Sequence, residues 1–97
     1  MYMKIHRSAK GEEVVAVCDR ELMDTTLFRD GVEVHIRQTF YGDRVVSIDE
    51  VRAALGKAEN ANLMGERTIA LAQEMGLIER SSCIMLGNVP HALVLRI

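Results

Sequence analysis

Residues 58–77, AENANLMGERTIALAQEMGL, decide how the second half of this chain is read. Asn60-Ala61-Asn62 breaks any helix arriving from upstream, and the Asn62 side chain suits the acceptor role at a helix start, where backbone N–H groups lack partners. Ile69, Leu71, Ala72 and Met75 then form an apolar stripe at helical spacing. The stripe ends at Gly76, a residue free to take positive φ, and Leu77 packs back on the last turn. The stretch therefore predicts a helix capped by Asn62, with Gly65, Glu66 and Arg67 in its first turns.

Upstream, Ser47-Ile48-Asp49-Glu50 is a capping box, and Val51, Ala54, Leu55 and Ala58 follow at helical spacing, so a first long helix is expected over residues 48–59. Val32, Val34, Ile36, Gln38 and Phe40 alternate with Glu33, His35, Arg37 and Thr39, which predicts a strand with one buried face. Tyr41-Gly42-Asp43 turns from it into a short strand over residues 44–46. Nearer the start, residues 2–6 alternate and residues 14–18 are continuously apolar, with turn chemistry at Ser8-Ala9-Lys10-Gly11 between them, as in a hairpin. Asp19 is placed to cap a short helical turn through Leu22 and Met23. At the other end, residues 83–86 and 92–97 flank Gly87-Asn88-Val89-Pro90 as a closing hairpin. The order β-β-(short α)-β-β-α-α-β-β implies one α+β domain over residues 1–97. Its sheet is expected to be mainly antiparallel, of about five to six strands, with the two helices on one face.

Composition bounds the function. The chain has 97 residues, 48% of them hydrophobic and 27% charged, with a single proline, as in an ordinary globular domain. Its longest apolar runs fall far short of the about 20 residues a membrane helix needs, and its first residues lack a signal-peptide pattern, so a cytoplasmic protein without a membrane segment is expected. Twelve basic against 14 acidic residues give a net charge of −2, which excludes strong non-specific nucleic-acid binding and leaves only local RNA contacts. Cys18 and Cys83 each lie in an apolar run and read as buried, reduced thiols.

The segments VVAVCDREL (residues 14–22), VEVHIRQTFYGDRVV (32–46), ENANLMGERTIALAQEMGLI (59–78) and VPHALVLRI (89–97) together resemble the archaeal domain of unknown function 424 family over nearly the whole chain. The resemblance implies an archaeal, cytoplasmic protein, and it carries over no catalytic or ligand residues.

Candidate sites follow from the residues themselves. The expected helix start gathers Asn62 as cap, Gly65 for close approach and Arg67 for a bidentate contact, an arrangement able to meet a phosphate or carboxylate. The plainer reading, which weighs more, is that Gly65 lets two helices cross and Glu66 balances the dipole while repelling an anion. A second candidate is an outward sheet face bearing Lys4, His6, Glu33, His35 and Arg37, although RNA-binding sheets stack bases on exposed aromatics and only Tyr2 is on offer. A solvated face is the better account. His91, after Pro90 at a strand start, is placed to approach Tyr41 or Asn62, where an acid–base pair would form; a strand-end histidine with one hydrogen bond is the simpler reading. Tyr41 and Arg44 flank a loop tip suited to partner contact.

No zinc-type spacing, phosphate loop or nucleophile elbow is present, so neither metal nor cofactor is expected. The leading reading is a small non-enzymatic module docking a protein or structured RNA in translation or RNA handling. The alternative is a small-molecule or anion-binding enzyme with its pocket near Asn62, Arg67, Tyr41 and His91.

Overall fold

A computed structural model describes residues 1–96. In chain order the strands are β1 (Tyr2–Arg7), β2 (Glu13–Cys18), β3 (Thr26–Arg29), β4 (Val32–His35), β5 (Asn60–Met64), β6 (Ile84–Leu86) and β7 (Val89–Leu95). The helices are α1 (Gln38–Tyr41), α2 (Ile48–Lys57) and α3 (Glu66–Glu74), with 3-10 turns at Arg20–Leu22 and Arg80–Ser82. The fold is α+β, with a five-stranded sheet in the order β1-β2-β5-β7-β6 and a separate β3-β4 hairpin. All neighbours in the large sheet are antiparallel except β2 and β5, which run parallel.

The first hairpin forms as its pattern requires. Tyr2 lies opposite Cys18 and Arg7 opposite Glu13. The Ser8 hydroxyl closes the turn by accepting from the backbone N–H groups of Lys10 and Glu12 at 3.2 Å each. Likewise α2 starts at its capping box, the Ser47 hydroxyl accepting from the Glu50 N–H at 3.1 Å. It ends at Lys57, two residues before the expected end, since Ala58 is already extended. The closing hairpin turns on Gly87-Asn88 alone; Val89 and Pro90 belong to β7, paired with Leu86 and Met85. Ile97 of the expected last strand lies outside the described residues.

Residues 58–77 behave differently from their sequence reading. Asn62 caps no helix: it lies in the middle of β5, the central strand, paired with Ala16 on one side and Leu93 on the other. Ala61 and Leu63 are buried toward the helices, while Asn60 and Asn62 take the alternate positions. The period-2 signal spans five residues only and is masked by Met64, which is buried on the opposite face. Gly65, at φ +111°, turns the strand directly into α3.

The expected long strand over residues 32–40 is also corrected. Its ladder stops at His35. Ile36 swings inward, fully buried, its N–H donating to the Thr25 carbonyl and its carbonyl accepting from the Asp24 N–H. Gln38–Tyr41 coils into a helical turn. The strand expected over residues 44–46 reduces to a single bridge between Val45 and Tyr2.

Two hydrophobic clusters divide at the sheet. Val15, Val17, Ala61, Leu63, Ala92 and Val94 pack with Val51 and Leu55 of α2 and Ile69 and Ala72 of α3. The intervening positions Ala16, Cys18 and Met64 pack with Ile36, Tyr41 and Leu86, and with Leu27 and Val34 of the hairpin. The second face is thus half covered, by β3-β4 and α1, rather than open to water along its length.

Candidate functional site

The start of α3 already holds an anion, supplied by the chain itself. Asp19, at the end of β2 and only 3% exposed, receives the backbone N–H groups of Arg67 at 3.0 Å and Thr68 at 2.8 Å, plus the Thr68 hydroxyl at 2.8 Å. β2 and β5 run parallel side by side, so Asp19, one residue past Cys18, arrives beside Gly65, one residue past Met64. A Cβ on Gly65 would collide with the Asp19 carboxylate, which explains why a glycine stands there. Arg67 points elsewhere, 3.7 Å from Glu21. Glu66 forms a bidentate pair with Arg80 at 2.7 and 2.8 Å; that hydrogen bonding holds the Glu66 carboxyl below its usual range. The geometry thus differs from the expected anion site of Asn62, Gly65 and Arg67: Asp19 takes the Arg67 and Thr68 N–H groups, and Asn62 lies in β5 rather than at the helix start. Asp19 does precede the short turn at Arg20–Leu22, yet its side chain caps the distant helix instead.

Three of the sequence candidates do meet. Tyr41 on α1, Asn62 on β5 and His91 on β7 line one cleft of about 350 Å³ between the large sheet and the β3-β4 hairpin. The Tyr41 hydroxyl donates to Asn62 Oδ1 at 2.7 Å. Val34, Ile36, Met64 and Leu86 make the apolar walls, and Phe40, Ile84 and His35 complete the lining. His91 lies opposite Met64 and Ile84 in the strand register. Its Nε2 is buried without a hydrogen-bond partner, and among the described residues no other buried side-chain nitrogen or oxygen is left so. The strand-end hydrogen bond expected for His91 is thus missing at that atom.

Burial sets the protonation states. It pushes the His91 imidazole below its ordinary pKa, so the ring is neutral near pH 7, and it pushes the Tyr41 phenol well above its ordinary value. The Cys18 thiol is raised to about 12 by burial and by the adjacent Asp19 charge, which keeps it protonated and unreactive. The cleft thus carries a hydrogen-bonded phenol, an amide and a neutral imidazole. Among the described residues no group of three or more His, Cys, Asp and Glu is placed to hold a metal ion.

Arg44 stays outside this cleft, 3.5 Å from Glu50 on the surface. The imagined RNA platform does not assemble, because β4 belongs to the separate hairpin and α1 sits over part of the sheet. Lys4 Nζ donates to the Thr39 carbonyl at 3.1 Å, and His6 donates to the Phe40 carbonyl at 2.7 Å while stacking on the Phe40 ring. Sequence reasoning missed Asp19 as the cap of α3 and the apolar cleft walls. The first depends on a parallel pairing of residues 46 apart in sequence, such as Cys18 with Met64, and the second on a hairpin folding over the sheet.

No helix among the described residues is long and apolar enough to cross a membrane. A solved structure of an uncharacterized conserved protein from Methanopyrus kandleri is similar over 99% of this chain and 92% of that one, with a TM-score of 0.78 and 26% identity. No curated protein matches. The model of the family described as "Protein of unknown function (DUF424)" matches residues 6–97, and the chain belongs to that family.

Proposed function

We propose that this chain is a non-enzymatic module of the archaeal cytoplasm that docks a protein partner on the sheet face opposite α2 and α3, with the Tyr41–Asn62–His91 cleft at its centre. One observation carries the reading. Leu93 and Leu95 are 70% and 71% exposed, side by side on β7, and Ile84 and Phe40 at the cleft are 47% and 37% exposed. His91, Leu93 and Leu95 share one face of β7, and Ile84 pairs with His91, so these exposed side chains run together as a patch rather than singly. Such patches beside a cleft mark docking sites, and the absence of an activated nucleophile favours binding over catalysis. An RNA partner is less well served, since Lys4 and His6 are engaged by α1 and the net charge is negative.

A small-molecule enzyme is the second reading, favoured by the convergence of Tyr41, Asn62 and His91; it lacks the Arg67 that its pocket was expected to contain. Affinity capture from nuclease-treated source-cell lysate separates the two. Docking predicts one defined protein retained by the wild type and lost by Leu93→Asp and Leu95→Asp at unchanged thermal stability. Capture that vanishes with nuclease, or persists in both variants, contradicts it.

A further inference from the structure

Resting on that docking reading, we propose that the cleft accepts a phenolic ring, the side chain of a tyrosine on the protein partner. At about 350 Å³ the cleft is near the small end of pockets that hold small molecules, about 300–1,000 Å³, and has room for one aromatic ring. Its walls, Val34, Ile36, Met64 and Leu86, are apolar, so the occupant's body must be apolar too.

The polar requirement comes from His91. An aliphatic or phenylalanine occupant would seal the unpartnered Nε2 into the complex and keep the penalty of a buried, unsatisfied polar atom. A hydroxyl removes it in either tautomer, because it both donates and accepts. The imidazole is only half-buried and lies on the cleft wall, and its last side-chain torsion is broad and two-fold, so a turn about that torsion is the movement that would bring a nitrogen to the occupant. The Tyr41–Asn62 bond uses only the amide oxygen of Asn62, so the amide N–H donors remain for the incoming hydroxyl oxygen. Among the described residues no Asp, Glu, Lys or Arg lines the cleft to pair with a charged occupant, and the other two titratable lining groups are engaged, His35 with Thr26 and Tyr41 with Asn62.

The test is an NMR titration of the whole chain with N-acetyl-tyrosinamide, N-acetyl-phenylalaninamide and p-cresol. The tyrosine amide is expected to shift Val34, Met64 and Leu86, to move the ¹⁵N signal of His91 Nε2, and to bind about tenfold more tightly than the phenylalanine amide. His91→Leu should reduce tyrosine-amide binding to the phenylalanine level; where that variant disturbs the fold, the wild-type ¹⁵N shift carries the same test. Equal binding of the two amides, or binding without movement of the His91 nitrogen, overturns the inference. Tighter binding of p-cresol than of the tyrosine amide assigns the cleft to a free phenol and also overturns it. If no probe binds, the tyrosine anchor falls, whereas the docking reading stands or falls separately on capture by Leu93 and Leu95.

Discussion

Asp19 ties two ends of the core together with one carboxylate. Replacing it by alanine leaves the Arg67 and Thr68 N–H groups and the Thr68 hydroxyl without their acceptor inside a buried site, which should cost about 2–3 kcal/mol in a denaturant titration. A loss below about 0.5 kcal/mol would show that water replaces the cap freely, against the ordinary penalty for orphaned donors. Ser47→Ala removes a single exposed acceptor and should cost less, about 1 kcal/mol, read the same way. The thiols should also diverge. Cys18 is buried with its pKa raised to about 12, so a thiol reagent should leave it untouched in the native protein while reacting with the partly exposed Cys83. Rapid native-state labelling of Cys18 would contradict its burial.

Among the elements, α2 and the end hairpins were legible because their signals are local, whereas α1 reads as strand and α3 reads with the wrong start. Ser47 to Glu50 announces α2 within four residues, and residues 2–18 announce a hairpin by alternation and a turn. β5 was not legible, because its pattern depends on being buried between β2 and β7, and a five-residue strand with asparagine at two positions looks like a helix break. For the same reason only part of the site could be seen: Tyr41, Asn62 and His91 were singled out by residue type, while the wall that joins them comes from a hairpin whose placement no local signal states. Packing predictions belong at this scale. Leu55, fully buried between α2 and the sheet, should cost about 2–5 kcal/mol when changed to alanine, whereas Leu93→Ala on the open face should change stability by less than about 0.5 kcal/mol. Similar losses at both positions, measured by thermal unfolding, would mean that Leu93 is covered in the isolated chain.

For the molecule as a whole, His91 links the cleft to pH. Its folded pKa lies below the ordinary value of 6.5 because burial disfavours the charged ring, so the unfolded chain binds the extra proton first. The neutral ring's contribution is fully present above about pH 6.5 and is lost as pH falls through the folded pKa, so stability should decline on acidification through that window, and the decline should be smaller in His91→Phe. An identical pH profile in the variant would remove His91 from the explanation.

The central claim is that the face opposite α2 and α3 is the working surface. A photo-crosslinking residue at Leu93, compared with one at the exposed Glu74 of α3, tests it most directly in nuclease-treated source-cell lysate. The account predicts a single protein adduct from position 93, abolished by Ile84→Asp, and none from position 74. Adducts from position 74 alone, or nucleic acid as the sole species joined at position 93 when nuclease is omitted, would contradict it.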